Sequence, residues 1–424
     1  MERYSTYKPS VVPGQKEIPA HWKEILNGIL FKENVRKPKE DDIPLSLSQK
    51  DGLIPTELMK ESSLKTSSYD NWKRVVKHDL VLNRFKAHLG VLMASDYEGM
   101  VSFHYGVYEP RMPLVTKYYE LLYHTDVYKG IYAYTSNGMT VGLQNLSNLA
   151  FYSIKGIYPP LAEQEKIVSY LESKTSKIDA YVADKEKEIQ LLQELKQKTI
   201  AEAVTKGLNP NVKMKDSDIS WIGMIPEHWE VKRVGLFLRE RKEKYNGDEP
   251  LQILSLLKDI GVIPYEDKGN VGNKAKEDLS TYKITRKGDV VVNCMNVIIG
   301  SSGITNYDGF ISPAYYSFIP IDKDSSILYK HWLSLPHMQG AIRCMAKGIL
   351  EIRLRVSVHQ LLSMKIPIPP KKEMKVILSY IEEKCQKIDT LITELQAEID
   401  YLKEYKQRLI ADVVTGQVNV QNEI

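Results

Sequence analysis

Residues able to grip a phosphate or read the edge of a base occur in two stretches of this chain, related by an offset of 210 positions. In the first, Asn83-Arg84-Phe85-Lys86 follows a short apolar run, and Thr135-Ser136-Asn137-Gly138 forms a polar turn. In the second, Asn293 and Asn296 occupy the positions that pair with Asn83 and Lys86, and the segment from Lys347 to Arg355 alternates. On a strand, that alternation sends Arg353 and Arg355 to one face with Glu351, and Ile352 and Leu354 to the other. Arginine clamps phosphate or reads guanine bidentately, amides suit adenine edges, and hydroxyls suit either base or phosphate. The candidate binding residues are therefore Asn83, Arg84, Lys86, Ser136, Asn137, Asn293, Asn296, Lys347, Arg353 and Arg355. The same residues also make ordinary turns and a solvated charged strand face, and both readings stand at this level.

No arrangement for covalent or phosphoryl-transfer chemistry accompanies them. The chain lacks GxxxxGK(S/T), HExxH, GxSxG and GxGxxG. Gly300-Ser301-Ser302-Gly303 misses the second glycine of a nucleophile elbow and reads as a turn. Neither Asn-Pro-Pro-Tyr nor Asp-Pro-Pro-Tyr, the tetrapeptides of amino-methylating DNA methyltransferases, occurs, and Asn209-Pro210-Asn211 does not supply one. Cys294, Cys344 and Cys385 form no CxxC, and the nine histidines show no ligand spacing. A reducing compartment without structural zinc is expected.

What would position the turns is a duplication. Pro159 to Thr205 and Pro369 to Thr415 align without a gap, with 21 of 47 pairs identical, among them Ile178/Ile388, Asp179/Asp389 and Glu194/Glu404. After the double proline neither copy contains Gly or Pro, so both are expected to be long helices with proline at the first turn. Steps of four and three from Ile381 give Ile381, Cys385, Ile388, Ile392, Leu395, Ile399, Leu402, Lys406, Leu409 and Val413, a heptad seam. The same steps in the first copy give Leu171, Thr175, Ile178, Val182, Lys185, Ile189, Leu192, Lys196, Thr199 and Ala203. Two matched seams are read as partners; the alternative is that each stripe packs on its own domain.

The duplication reaches beyond the helices. Ile18-Pro19-Ala20-His21-Trp22 recurs as Ile225-Pro226-Glu227-His228-Trp229, and the 210-residue offset pairs 79–83 with 289–293, Gly90 with Gly300 and Pro110 with Pro320. The globular halves are thus expected to share a mixed fold of short strands and Gly-containing turns. Helices are expected over 115–130 and 325–346, the second broken or kinked at Pro336, and short strands over 140–146 and 351–358. Residues 1–22 read as an extended lead-in rather than a core element, and each His-Trp pair as local packing of such a segment.

A chain of 424 residues, 43% hydrophobic, suggests two or three domains. The net charge of +4 is uneven: +3 over 1–160, −1 over 161–206, +4 over 207–370 and −2 over the remainder. Basic halves and slightly acidic helices suit halves that touch a polyanion, although a solvated surface explains so small an excess equally well. With no signal-like start and no run of 18 apolar residues, a soluble cytoplasmic protein without membrane contact is expected.

The order of IPxHW, mixed α/β half and PPLxEQ helix, followed by the whole again, resembles the specificity (S) subunit of type I restriction–modification enzymes across essentially the entire chain. Pro159-Pro160-Leu161-Ala162-Glu163-Gln164 opens the first helix and Val204-Thr205-Lys206-Gly207-Leu208 closes it; Met374 departs from the usual Gln in the second opening. The resemblance implies an α/β (α+β) chain with pseudo-twofold duplication. Two target recognition domains, 1–158 and 207–368, would be separated by two long antiparallel coiled-coil helices, 159–206 as central spacer and 369–424 as distal spacer and tail. Each domain would read one part of a bipartite asymmetric site in double-stranded DNA. The helices would set the spacing and dock two methyltransferase subunits, through which restriction subunits join. S-adenosylmethionine, ATP and Mg would belong to those partners, with no cofactor and no catalysis in this chain. From the residues alone, a coiled-coil scaffold whose halves bind proteins is the alternative.

Overall fold

The computed structural model describes residues 2–48, 52–59, 69, 71–136, 145–244, 251–258, 260–270, 279–348 and 354–422. The chain divides into two compact units that do not follow chain order: Met1–Glu186 with Gln396–Ile424, and Lys187–Leu395.

In the first unit the strands Phe31–Glu33, Tyr105–Pro110, Leu80–Asn83 and Leu92–Ala94 form an antiparallel sheet in that order. Leu80 and Leu82 enter one core with Phe31, Tyr108 and a set of buried tyrosines, whereas Val81 enters a second core with Leu45, Val75 and Val107. A strand covered on both faces reads as an unbroken apolar run, which is why this stretch shows no polar alternation. The second unit repeats the arrangement with Leu238–Glu240, Tyr315–Pro320, Val290–Asn293 and Ser302–Ile304. Val290 and Val292 again go to one core and Val291 to the other. The register is the same too, with Asn83 opposite Tyr105 and Asn293 opposite Tyr315. A further sheet in the second unit is mixed, since Gln252–Leu257 runs antiparallel to Gly261–Pro264 and parallel to Gly309–Ile311.

The helical stretches break at one place in both halves. Thr116–Tyr123 is followed by Asp126–Thr135, and Lys323–Leu333 by Pro336–Met345, with Thr125 and Leu335 as extended caps. Since the first half has no proline there, Pro336 suits the first position of a new helix rather than causing the break alone. The expected strand over 351–358 is corrected. Ser357 is the N-cap of helix Val358–Ser363, in a capping box with Gln360, and Ser147 likewise caps Asn148–Ser153. The Ser-x-x-Gln signature outweighs a short β-branched run at a helix start. Residues 140–144 and 351–353 of the two expected strands lie outside the described residues. The lead-in is also corrected: Tyr7–Pro9 pairs with Glu17–Pro19, and Ile18 and Trp22 are fully buried in the first core.

The long helices are Leu161–Lys206 and Lys371–Val414. Between Glu172 and Thr199 the positions withdrawn from solvent are Thr175, Ile178, Val182, Lys185, Ile189, Leu192, Lys196 and Thr199. In the second helix they include Ile381, Cys385, Ile388, Ile392, Leu395, Ile399, Leu402, Lys406, Leu409 and Val413, and Leu171 is buried in the first. Within the first unit Asp179 pairs with Lys406 at 2.6 Å and Lys185 with Glu398 at 3.7 Å, so the helices run antiparallel there. Within the second unit Lys196 pairs with Asp389 at 2.6 Å. The Asp179–Lys406 and Lys196–Asp389 pairs use the same duplicated positions with the two helices exchanged.

Candidate nucleic-acid interface

The end of each four-stranded sheet is closed by an asparagine. Asn83 Oδ1 accepts from the N–H groups of Phe85 at 3.1 Å and Lys86 at 3.3 Å; Asn293 Oδ1 accepts from Met295 at 3.0 Å and Asn296 at 3.3 Å. Such Asx turns suit the short amide side chain and hold the next three residues at the sheet end. Here the amide oxygens are spent on the fold, whereas Lys86 and Asn296 present exposed side chains.

Beneath the turns the two halves differ. In the first, Arg84 donates to Glu33 at 2.6 Å and to Asn148 at 2.8 Å, and Lys73 donates to the same Glu33 oxygen at 2.8 Å. Tyr108 closes the network through Asn148 at 2.7 Å, and burial pushes its hydroxyl pKa up. The Arg84 charge is thus compensated within the fold. In the second, the Arg84 position is Cys294, which is buried and whose thiol pKa burial pushes up. Lys283 lies 4.7 Å from the Tyr316 ring centroid and donates to the Tyr315 carbonyl at 2.8 Å. Burial lowers its pKa.

A returning segment docks on each turn, with Leu146 N–H donating to the Arg84 carbonyl and Val356 N–H to the Cys294 carbonyl, both at 3.0 Å. The second brings exposed Arg355 to the sheet end, bridged to exposed Lys347 by reciprocal backbone bonds of 2.9 Å. So the fold gathers Asn83, Arg84 and Lys86 in one half, and Asn293, Asn296, Lys347 and Arg355 in the other. Ser136 is half-buried at the end of helix Asp126–Thr135, and its Oγ has no partner. Asn137 and Arg353 lie outside the described residues. Among the described residues no cluster with the makings of a metal site occurs.

Sequence reasoning left out the carboxylates that fasten each half to the helices. Glu163, in the first turn of its helix, accepts from Trp22 Nε1 at 3.0 Å and Tyr4 OH at 3.1 Å, and contacts His21 at 2.7 Å. Glu373 does the same with Trp229 at 3.2 Å and His228 at 2.6 Å. The C-terminus of the other helix completes each clamp. Gly416 has φ +74° and leaves no room for a Cβ against Pro19 and Trp22; Gly207, also φ +74°, lies against Trp229. The repetition of His-Trp and of the glutamate four residues after the first proline was the available signal.

Comparison with known proteins agrees with this architecture. Residues 226–401 match the family described as the type I restriction modification DNA specificity domain. The putative type I restriction enzyme MjaX specificity subunit of Methanocaldococcus jannaschii is 23% identical over 96% of this chain and 95% of its own length. The MjaVIII specificity subunit of the same organism is 26% identical, the match spanning 66% of each chain. Among solved structures, a chain from a study of complex assembly and conformational transition of the type I R-M system aligns at a TM-score of 0.70 and 15% identity, covering 95% of this chain and 99% of that one. The crystal structure of the HsdS subunit from Thermoanaerobacter tengcongensis aligns at 0.53 and 16%, covering 96% and 100%. The chain is thus similar in sequence to type I restriction–modification specificity subunits, with residues 226–401 matching their DNA specificity domain, and it shares the fold of the solved HsdS subunit.

Proposed function

We propose that this chain selects the DNA sequence on which a type I restriction–modification enzyme acts, each globular half reading one part of a bipartite asymmetric target. The observation that carries this is a contrast within one molecule. Strand order, register and clamps repeat between the halves, whereas the turns they present do not: Asn83-Arg84-Phe85-Lys86 stands where the other half has Asn293-Cys294-Met295-Asn296. A reader of two different half-sites needs a repeated scaffold with unlike tips. A scaffold that binds proteins through its halves is not favoured, because the relatives matched are specificity subunits.

The chain is non-catalytic and binds double-stranded DNA. The paired helices set the spacing of the half-sites and dock two methyltransferase subunits, through which restriction subunits join. S-adenosylmethionine, ATP and Mg reside on those partners. Base-resolution methylome sequencing of the host with and without this gene tests the function; an adenine motif is expected to vanish on deletion.

A further inference from the structure

The turn formed by Arg84, Phe85 and Lys86 and the turn formed by Ser102, Phe103 and His104 stand side by side, because Asn83 and Tyr105 pair across the sheet. Their tips carry Phe85, Phe103 and His104, all exposed, the two phenyl groups at 42% and 50%. The rings form one cluster, with His104 3.9 Å from Phe103 and 5.6 Å from Phe85 between centroids. A contiguous apolar surface rimmed by polar groups marks an interaction site.

Charge narrows the partner. Lys86 and His88 follow Phe85 in the chain, and no carboxylate occurs in the sequence from Asn83 to Ser95 or from Met100 to Tyr108. The carboxylate that Arg84 engages, Glu33, is paired with both Arg84 and Lys73. Such a setting attracts a polyanion.

The second half narrows it further. The same turns there hold Met295 in place of Phe85, and Pro313 and Ala314 in place of Phe103 and His104, none of them fully exposed. A partner common to both halves would need the same surface twice, as the glutamate clamps are the same twice. A surface that reads one side of an asymmetric site must differ.

We propose that Phe85, Phe103 and His104 form an apolar reader that packs against thymine methyl groups in the half-site of the first unit, with Lys86 on a neighbouring phosphate. The 5-methyl of thymine is the apolar feature of the major-groove code, and aromatic contact is a known way to recognise it. This inference rests on the DNA-reading function above and adds the base feature that one half reads.

The test uses the complete enzyme and a duplex carrying the motif found by methylome sequencing. Each thymine of each half-site is replaced singly by deoxyuridine, which removes only the methyl group. At a thymine of one half-site, uracil is expected to lower wild-type affinity roughly ten-fold. Phe103→Ala is expected to lose about as much on the thymine duplex and to be indifferent to uracil at that position, while Met295→Ala keeps the wild-type response. Phe103→Leu, which retains apolar bulk, is expected to respond weakly, and it decides the matter if the alanine variant does not fold. No response at any thymine, or a Phe103 variant that senses uracil as the wild type does, overturns the inference. So does a variant that keeps DNA affinity but no longer binds the methyltransferase subunit, which would make the cluster a protein contact. A wild-type enzyme with no motif at all would instead overturn the DNA-reading function itself.

Discussion

At the scale of single residues, the best-defined groups are those that hold the halves to their helices. Removing Glu163 leaves the fully buried Trp22 indole N–H and the Tyr4 hydroxyl without an acceptor, and an unmade buried hydrogen bond costs about 1–3 kcal/mol. Glu163→Ala is therefore expected to lower stability by about 2–4 kcal/mol in urea unfolding, an unchanged midpoint counting against the clamp. His331 has a different consequence. Burial, with Lys330 and Lys196 nearby, holds its imidazole pKa down to about 3, and Nδ1 has no partner. Between an ordinary value near 6.5 and that value the unfolded chain binds the extra proton, so stability is complete above about pH 6.5 and falls on acidification. From pH 7 to 5.5, wild type is expected to lose roughly 1 kcal/mol more than His331→Leu; equal losses would refute the assignment. Little of this was legible beforehand. Arg84 and Asn83 were recognisable as polar turn residues, but whether an arginine faces solvent or Glu33 depends on a partner 51 positions away in sequence.

At the scale of elements, legibility followed periodicity. The long helices print a 4–3 pattern, and positions on that pattern are withdrawn from solvent, including Lys196 and Lys406 where an apolar residue was due. Their ion pairs with Asp389 and Asp179 explain the exceptions. Exposed pairs of this kind stabilise little, but a polar group on the seam favours one register over its neighbours. The strands were harder. Runs of three to six residues buried on both faces carry no period, and the pairing of Phe31–Glu33 with Tyr105–Pro110 leaves no local trace. Helix length gives the element-scale prediction. Inserting seven residues after both Glu186 and Gln396 keeps the heptad phase and adds about 10 Å. The unspecified gap in the methylated motif is expected to lengthen by up to about three base pairs, given about 3.4 Å per step. An unchanged gap with full methylation would contradict a spacing role.

At the scale of the molecule, each compact unit draws on segments far apart in sequence. In the first unit the C-terminal residues Leu409, Val413 and Val420 enter the core that contains Trp22, and Asn419 N–H donates to the Glu2 carbonyl at 2.8 Å. In the second, Ile200 and Val204 enter the core that contains Trp229. The duplication announced two similar halves, but that each is completed by the end of the other helix had no signature in either copy alone. The asymmetry of the turns was visible as sequence divergence, and it acquired meaning only when the shared register placed unlike residues on like positions. On the proposed function, these unlike tips select one bipartite DNA site for modification. Its most direct test is the base-resolution methylome of the host with the gene intact and deleted: an interrupted, asymmetric adenine motif is expected to disappear on deletion and return on complementation, and an unaltered set of methylated motifs would contradict the account.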